Sequence, residues 1–490
     1  MGLSPIDTAI VIAYLAGVTL TGIIIGKNQR TGQDYFLGGR RLSWWAVGFS
    51  IVASETSTIT FISVPGLGYS SAMEFMQVVV GYFFGRLIVS AVFIPAYYRG
   101  TLETAYDFLG KRFGLALRKF ASSVFLITRV LASGVRLFTA AIPLHLLTGY
   151  DYVSSILIIG IFTLIYTYLG GLKAVVTMDV VQMCIYLGGA LAAMVIILQR
   201  LPSGWDDVVR MATADGMDKF RIFNFSFDQS PGAFFSNPYT FAGGIIGGMF
   251  LSMASHGTDQ LLVQRLLGCK TRRDSQRALL LDASFIVVQF AFFLILGICL
   301  YAFYNGATLN QLGLRSSDEI FPKFIVENLP MGITGLVVAG VFASAMGSLS
   351  SAISSLASST FLDLVSEPVR SRLRTMNREI FWSRIITFGW GVILTGGAML
   401  FISSSRTVIE TGLQITSLTY GSLLGIFFLG LSSRRSSQLD ATIGFIAGLL
   451  TMAGIVWWTA IGFTWHTFIG CTVTVLAGIL SGFVRERGSR

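Results

Sequence analysis

Apolar residues run in long unbroken stretches along the whole chain, and short polar clusters separate them. A helix that crosses a bilayer needs about 20 mostly apolar residues. Thirteen stretches reach that length, near 6–26, 44–69, 75–98, 120–148, 152–170, 175–198, 239–264, 278–304, 332–362, 382–403, 408–432, 440–462 and 466–484. The runs are continuous rather than alternating, so they predict helices and not the strands of a β-barrel. The expected fold is an all-α polytopic membrane protein with 13 transmembrane helices.

Composition agrees. Of 490 residues, 53% are hydrophobic and 12% charged, against roughly 25% charged in a soluble protein. The net charge of +10 changes meaning once the charges are located. Counted on alternate sides of thirteen spans, Lys and Arg divide 25 to 7, and Arg86, Arg129 and Arg136 fall inside spans. Basic loops stay in the cytoplasm, which places the N-terminus outside and the C-terminus in the cytoplasm of a cell, or bacterial inner, membrane. The basic charge then belongs beside anionic headgroups, and nucleic acid drops out as a partner. The first span has no basic leader or small-residue cleavage site, so it does not read as a signal peptide. Cys184, Cys269, Cys299 and Cys471 lack ligand spacing and are expected to be small buried hydrophobes.

Ionisable and hydroxyl residues inside spans are costly and mark function. The second span holds Ser54, Glu55, Thr56, Ser57, Thr58 and Thr60, with Pro65 and Gly66 beyond. Ser and Thr compete for backbone bonds, so a discontinuous helix is expected, against the alternative of a hydroxyl-rich packing face. The seventh span is similar, with Gly243, Gly244, Gly247, Gly248, Ser252, Ser255, His256, Gly257, Thr258 and Asp259. Interrupted helices in corresponding halves point to a transporter built of inverted repeats. The ninth span carries a ladder of Ser344, Ser348, Ser350 and Ser351, and the sixth carries Asp179. Hydroxyls and freed carbonyls suit Na⁺, and no His/Cys cluster suggests a transition metal.

These segments resemble the sodium/solute symporter family over nearly the whole chain. The match runs through Asp34-Tyr35-Phe36-Leu37-Gly38-Gly39-Arg40 with Trp44-Trp45, then Tyr166-Thr167-Tyr168-Leu169-Gly170-Gly171-Leu172-Lys173-Ala174. It continues in Thr258-Asp259-Gln260 with Val263-Gln264-Arg265, and in Leu329-Pro330 leading to Ala345-Met346-Gly347-Ser348-Leu349-Ser350-Ser351. The resemblance implies the LeuT-like fold of a 5+5 inverted repeat, with one extra helix before it and two after. The divisions would be a first helix and loop (1–43), the first repeat (44–200), an external loop (201–238), the second repeat (239–432) and two C-terminal helices with a tail (433–490).

It also implies sites. The conserved sodium site would use the carbonyls of Ala53, Thr56 and Ser344, with oxygens from positions 347 and 348. Ser348 fits, whereas Gly347 departs from the usual Ser and offers no side chain, which weakens the site or leaves room for water. A second sodium would use Asp179, Ser350 and Ser351. The solute would meet Ser54, Glu55, Ser57, Thr60, Ser252, Ser255, His256 and Gln414. One of Arg86, Arg129 and Arg136 could bind a substrate carboxylate, and Arg86 or Arg129 could equally neutralise Glu55.

The function expected is Na⁺-coupled symport of a small polar organic solute (a sugar, sialic acid, carboxylate, vitamin or amino acid) by alternating access. Na⁺ is the coupling ion, no organic cofactor is expected, and the functional unit would be a monomer in the lipid bilayer. Two alternatives remain, a proton-coupled carrier of the same fold and a substrate-sensing membrane protein. An enzyme is not expected, because His145, His256 and His466 are scattered.

Overall fold

In a computed structural model the described residues are mostly helical and form no strand. These are all except 1–2, 27–28, 226–229, 403–405, 434 and 489–490; the side chains of 215, 406–415, 417 and 488 also fall outside them. Eight helices are individually long and apolar enough to cross a membrane, and a ninth span is a pair, Trp44–Glu55 and Thr58–Ser70, bent by 66°. Among the described residues these two criteria alone pick out eight or nine spans, which leaves the expected count of thirteen unconfirmed. The remaining predicted stretches are helical as well: helices Glu379–Met399 and Arg406–Ser432 have 21 and 27 residues, the seventh is broken at Thr258, and the fifth and sixth are merged in helix Tyr152–Arg200.

The pair forms because the chain stops and restarts a helix within three residues. The Ser57 amide, which a continuous helix would give to the Ala53 carbonyl, donates to the Glu55 carbonyl at 2.9 Å. Ser57 then caps the second half by accepting from the Thr60 amide. The seventh predicted span breaks in the same way. Helix Gly248–Gly257 ends, and Asp259 caps helix Gln260–Leu267 through the Leu261 amide at 2.9 Å.

Helix Tyr152–Arg200 has 49 residues, about 74 Å if straight, more than twice a bilayer core. Gly171 interrupts it with φ 54° and ψ −158°, a backbone that favours glycine. The two arms fold back on each other. The Tyr166 hydroxyl donates to the Met346 carbonyl at 3.2 Å, and a Cβ on Gly347 would stand 3.6 Å from Asp179 Oδ1. Residues 166 and 179 could not both reach adjacent positions along a straight helix.

The centre of the bundle is helix Ile333–Ser359, continued by a wider turn to Leu364, and 89% of its apolar window is buried. The last helix, Phe463–Gly488, has only 28% buried and carries its apolar side chains outward. Small residues let the inner helices touch: a Cβ on Gly297 would collide with the Pro65 carbonyl oxygen. At one end of the bundle Arg118 joins three elements. It reaches Asp107 at 2.8 Å, Asp363 at 2.9 Å and the Leu362 carbonyl at 2.9 Å. Thr104 and Ser359 donate to the same Asp363 carboxylate.

Two sequence expectations need correction. Arg265, counted among the basic loop charges, is fully buried and faces Asp179. Cys184 is exposed on the outer surface, whereas Cys269, Cys299 and Cys471 are buried as expected.

Candidate functional site

The two breaks lie against one cavity of about 590 Å³. Of the eight expected solute contacts, Ser54, Glu55, Thr60, Ser252, Ser255 and His256 line it. Ser57 lines a smaller adjoining pocket of about 20 Å³, room for about one water-sized species. The Gln414 side chain lies outside the described residues. The cavity reaches Tyr239, Ser317, Asp318 and Phe463, so it extends toward the end of the bundle that carries 201–238 and 305–331.

Three arginines face the cavity, and the structure separates them. Arg86 is fully buried and pairs with Glu55, and its Nε stands 2.7 Å from Asp282. His256 Nε2 lies 3.1 Å from Glu55 and 3.4 Å from Asp282. Its Nδ1 stands 3.1 Å from the Ser252 carbonyl and 2.9 Å from the Ser255 hydroxyl. Glu55, His256 and Asp282 approach closely enough to share a cation, but the Arg86 guanidinium already supplies positive charge among them. Arg129 pairs with Asp259, and the Tyr420 hydroxyl donates to the same carboxylate at 2.6 Å. Arg136 faces the cavity, and no carboxylate pairs with it among the described residues. Of the alternatives left open by the sequence, Arg86 is therefore the counter-charge of Glu55.

The sodium expectation has a local test in the donor set. The break turns the Ala53 carbonyl away from helical bonding, because its usual donor, the Ser57 amide, goes to Glu55. The Thr60 amide likewise turns to the Ser57 hydroxyl instead of the Thr56 carbonyl. Ser348 Oγ is buried without a hydrogen-bond partner among the described residues and lines the small pocket with Ser54, Ser57 and Thr58. Ser344 and Thr58 share a hydroxyl contact of 3.0 Å. These neutral oxygens suit a monovalent hard cation, and Arg129 and Arg136 line the same pocket on its other side. Gly347 adds no side chain, as expected.

Asp179 is placed differently from the expectation of a cation or the hydroxyls of Ser350 and Ser351. Arg265 Nη2 stands 3.0 Å from its Oδ2, and the Ser50 hydroxyl donates to the same oxygen at 2.5 Å. Arg265 also donates to Ser351 at 2.6 Å, to Ser50 at 2.8 Å and to the Leu261 carbonyl at 2.7 Å. Ser350 and Ser351 donate back to the Gly347 carbonyl at 3.0 and 2.6 Å. These three residues are brought together, but a guanidinium stands among them.

Sequence reasoning missed Asp282, the Asp259 pairing and Arg265. The signals existed: Asp282 interrupts an apolar run, and Asp259 and Arg265 fall within the quoted motif.

The pattern of the Sodium:solute symporter family matches residues 35–448. The sodium/sialic acid symporter SiaT of Proteus mirabilis is 27% identical over 97% of this chain and 94% of its own length. A sodium-dependent multivitamin transporter of Oryctolagus cuniculus is 31% identical over 89% of this chain and 67% of its own. A Na⁺-coupled sialic acid symporter in a substrate-bound outward-open state superimposes with a TM-score of 0.85 at 26% identity, covering 98% of each chain. A nucleobase-cation-symport-1 transporter at 14% identity and TM-score 0.54 shares the fold alone. The chain belongs to the sodium:solute symporter family and is a Na⁺-coupled solute symporter with a LeuT-like fold.

Proposed function

We propose that the chain carries a small, carboxylate-bearing solute into the cell together with Na⁺. The observation that carries this reading is Arg136. Arg86, Arg129 and Arg136 line the cavity with Glu55, Asp259 and, toward its outer end, Asp318; Arg86 holds Glu55 and the adjoining Asp282, and Arg129 holds Asp259. Among the described residues Arg136 is the cavity guanidinium that no carboxylate holds, and guanidinium groups hold carboxylates through paired hydrogen bonds. Sialic acid and monocarboxylate carriers among the relatives transport solutes of that chemistry.

The solute would lie against Ser54, Glu55, Ser57, Thr60, Ser252, Ser255 and His256, with Gln414 completing the wall. One sodium would bind at Ala53, Thr56, Ser344 and Ser348 beside Gly347. Arg265 would supply at Asp179 the positive charge that a second sodium at Asp179, Ser350 and Ser351 would otherwise bring. The N-terminus would face outside and the C-terminus the cytoplasm, with repeats over 44–200 and 239–432 in a monomeric unit. The membrane potential would add about 2.3 kcal/mol per charge per 100 mV to inward movement.

Uptake of sialic acid, short monocarboxylates and neutral sugars into vesicles tests this. An inward Na⁺ gradient should drive uptake of a carboxylate, and Arg136→Gln should abolish it while leaving Na⁺-induced thermal stabilisation of the purified protein intact. Equal uptake in choline with a proton gradient, or native uptake by Arg136→Gln, would refute the proposal.

A further inference from the structure

One groove on the outer surface belongs to neither the solute cavity nor the sodium pocket. Its volume is about 660 Å³, with Ile161, Leu164, Ile165 and Tyr168 along one wall and Ile385 and Phe388 along the other. The walls are helices Tyr152–Arg200 and Glu379–Met399, one from each proposed repeat. Its floor is closed, because glycines let the two helices touch: a Cβ on Gly160 would collide with the Thr395 side chain, and one on Gly391 with Leu164. Its mouth is open, and Ile161 and Phe388 are exposed there. From Ile161 to Leu169 the groove runs about 12 Å along the helix, close to half of a hydrocarbon core about 30 Å thick.

One end of the groove is cationic. The Arg384 guanidinium lies 5.9 Å from the centre of the Tyr168 ring, and its Nη2 donates to the Leu169 carbonyl at 3.4 Å. Its Nε is buried with no hydrogen-bond partner among the described residues. Glu379, the acid nearest to it in sequence, pairs with Arg374 at 3.4 Å instead. Lys173 and Arg378 are exposed, two residues past the Gly171 break and six before Arg384. Phe381 and Trp382 are also exposed at the start of the second helix, and a tryptophan facing outward marks the headgroup level. The groove is therefore about one leaflet deep and ends, at headgroup depth, beside a guanidinium that Glu379 does not hold.

We propose that this groove binds an anionic phospholipid, with an acyl chain between Ile161 and Tyr168 and the phosphate at Arg384. Apolar walls alone would accept any lipid tail, and Arg384 adds the selection for charge. Guanidinium Nε and Nη groups hold phosphate oxygens through paired bonds, and Nε is the member that lacks a partner. The lipid comes from the leaflet at the basic end, the cytoplasmic one in the orientation proposed above. Because each repeat contributes one wall, a bound lipid adds contacts between the two and stabilises the folded carrier.

The test titrates delipidated protein in detergent with dioleoyl phosphatidylglycerol or dioleoyl phosphatidylcholine. Bound lipid is counted by native mass spectrometry, and the thermal unfolding midpoint is read in parallel. Phosphatidylglycerol should bind about fivefold more tightly or better, and should raise the midpoint at correspondingly lower concentration. Arg384→Gln should remove that preference, and Arg384→Lys should keep most of it. Ile161→Trp fills the groove and should weaken both lipids. Equal affinity for the two lipids, an unaltered preference in Arg384→Gln, or native lipid affinity in Ile161→Trp overturns the proposal. Dimers in the mass spectra that Ile161→Trp dissolves would give the groove to a second copy of the chain and overturn it too.

Discussion

Replacing Arg265 by methionine should be among the most destabilising single changes in the chain. Arg265 and Asp179 are both fully buried at the side chain. The guanidinium makes bonds of 2.6–3.0 Å to Asp179, Ser50, Ser351 and the Leu261 carbonyl. Breaking a buried pair from one side costs about 3–5 kcal/mol, because the remaining charge stays in a low dielectric. At 1.4 kcal/mol per factor of ten, that is about two to three and a half decades in the folded population. Removing both charges takes away the uncompensated ion, so Arg265→Met combined with Asp179→Asn should recover most of that loss. The asparagine also keeps an oxygen where Asp179 Oδ1 stands. The assay is a double-mutant cycle on thermal unfolding midpoints in detergent, read as a ranking because such unfolding is irreversible. The Na⁺:solute ratio of the double variant is then measured by reversal potential. Both the stability recovery and an unchanged ratio follow if Asp179 serves Arg265 rather than a second sodium. An Arg265→Met protein as stable as the native one, or a ratio that falls in the double variant, would refute the reasoning.

Ser348→Ala removes the unpartnered hydroxyl at the broken helix, and the Na⁺ concentration for half-maximal uptake should rise about tenfold, near 1.4 kcal/mol. Unchanged sodium dependence in a folded variant would move the site elsewhere. Lys219, outside the membrane-spanning helices, donates to the Tyr69 carbonyl at 2.7 Å and stands 4.1 Å from the Tyr301 ring. Burial pulls its ammonium down to about 8 from 10.5. The folded state thus releases the proton more readily than the unfolded one, and stability from this group should rise as pH climbs from about 8 to 10.5. Lys219→Met should flatten thermal stability across that window, and an unaltered pH slope would refute the burial argument.

Local chemistry was legible in the sequence where it depended on neighbours in the chain. The break after Glu55 follows from hydroxyls that cap and compete, and the break at Asp259 from a glycine followed by a capping carboxylate. The gathering of Ser54, Glu55, Thr60, Ser252, Ser255 and His256 followed once two broken helices were expected to face each other. Pairings were not legible, because they depend on side chains far apart in sequence. Glu55 could have been matched with Arg86 or Arg129 on composition alone, and only packing assigns Arg129 to Asp259. Arg265 looked like a loop charge because it follows an apolar run, whereas the helix that Asp259 starts carries it inward. Cys184 shows the converse: in a bilayer protein an apolar position can equally face lipid.

The Arg118 junction would limit how quickly the carrier can turn over. Asp363 receives Arg118, Thr104 and Ser359 at once, and Arg118 holds Asp107 as well. This junction closes the end of the bundle remote from Tyr239 and Phe463, so any passage through that end must separate several charge-assisted bonds together. Their combined enthalpy would make the opening of that end, in the loaded inward half of the cycle, the step with the steepest temperature dependence. Exchange of internal for external solute, which needs the same end to open, would slow on cooling as sharply as net uptake. A latch of this kind sets tempo and leaves selectivity to the residues lining the cavity.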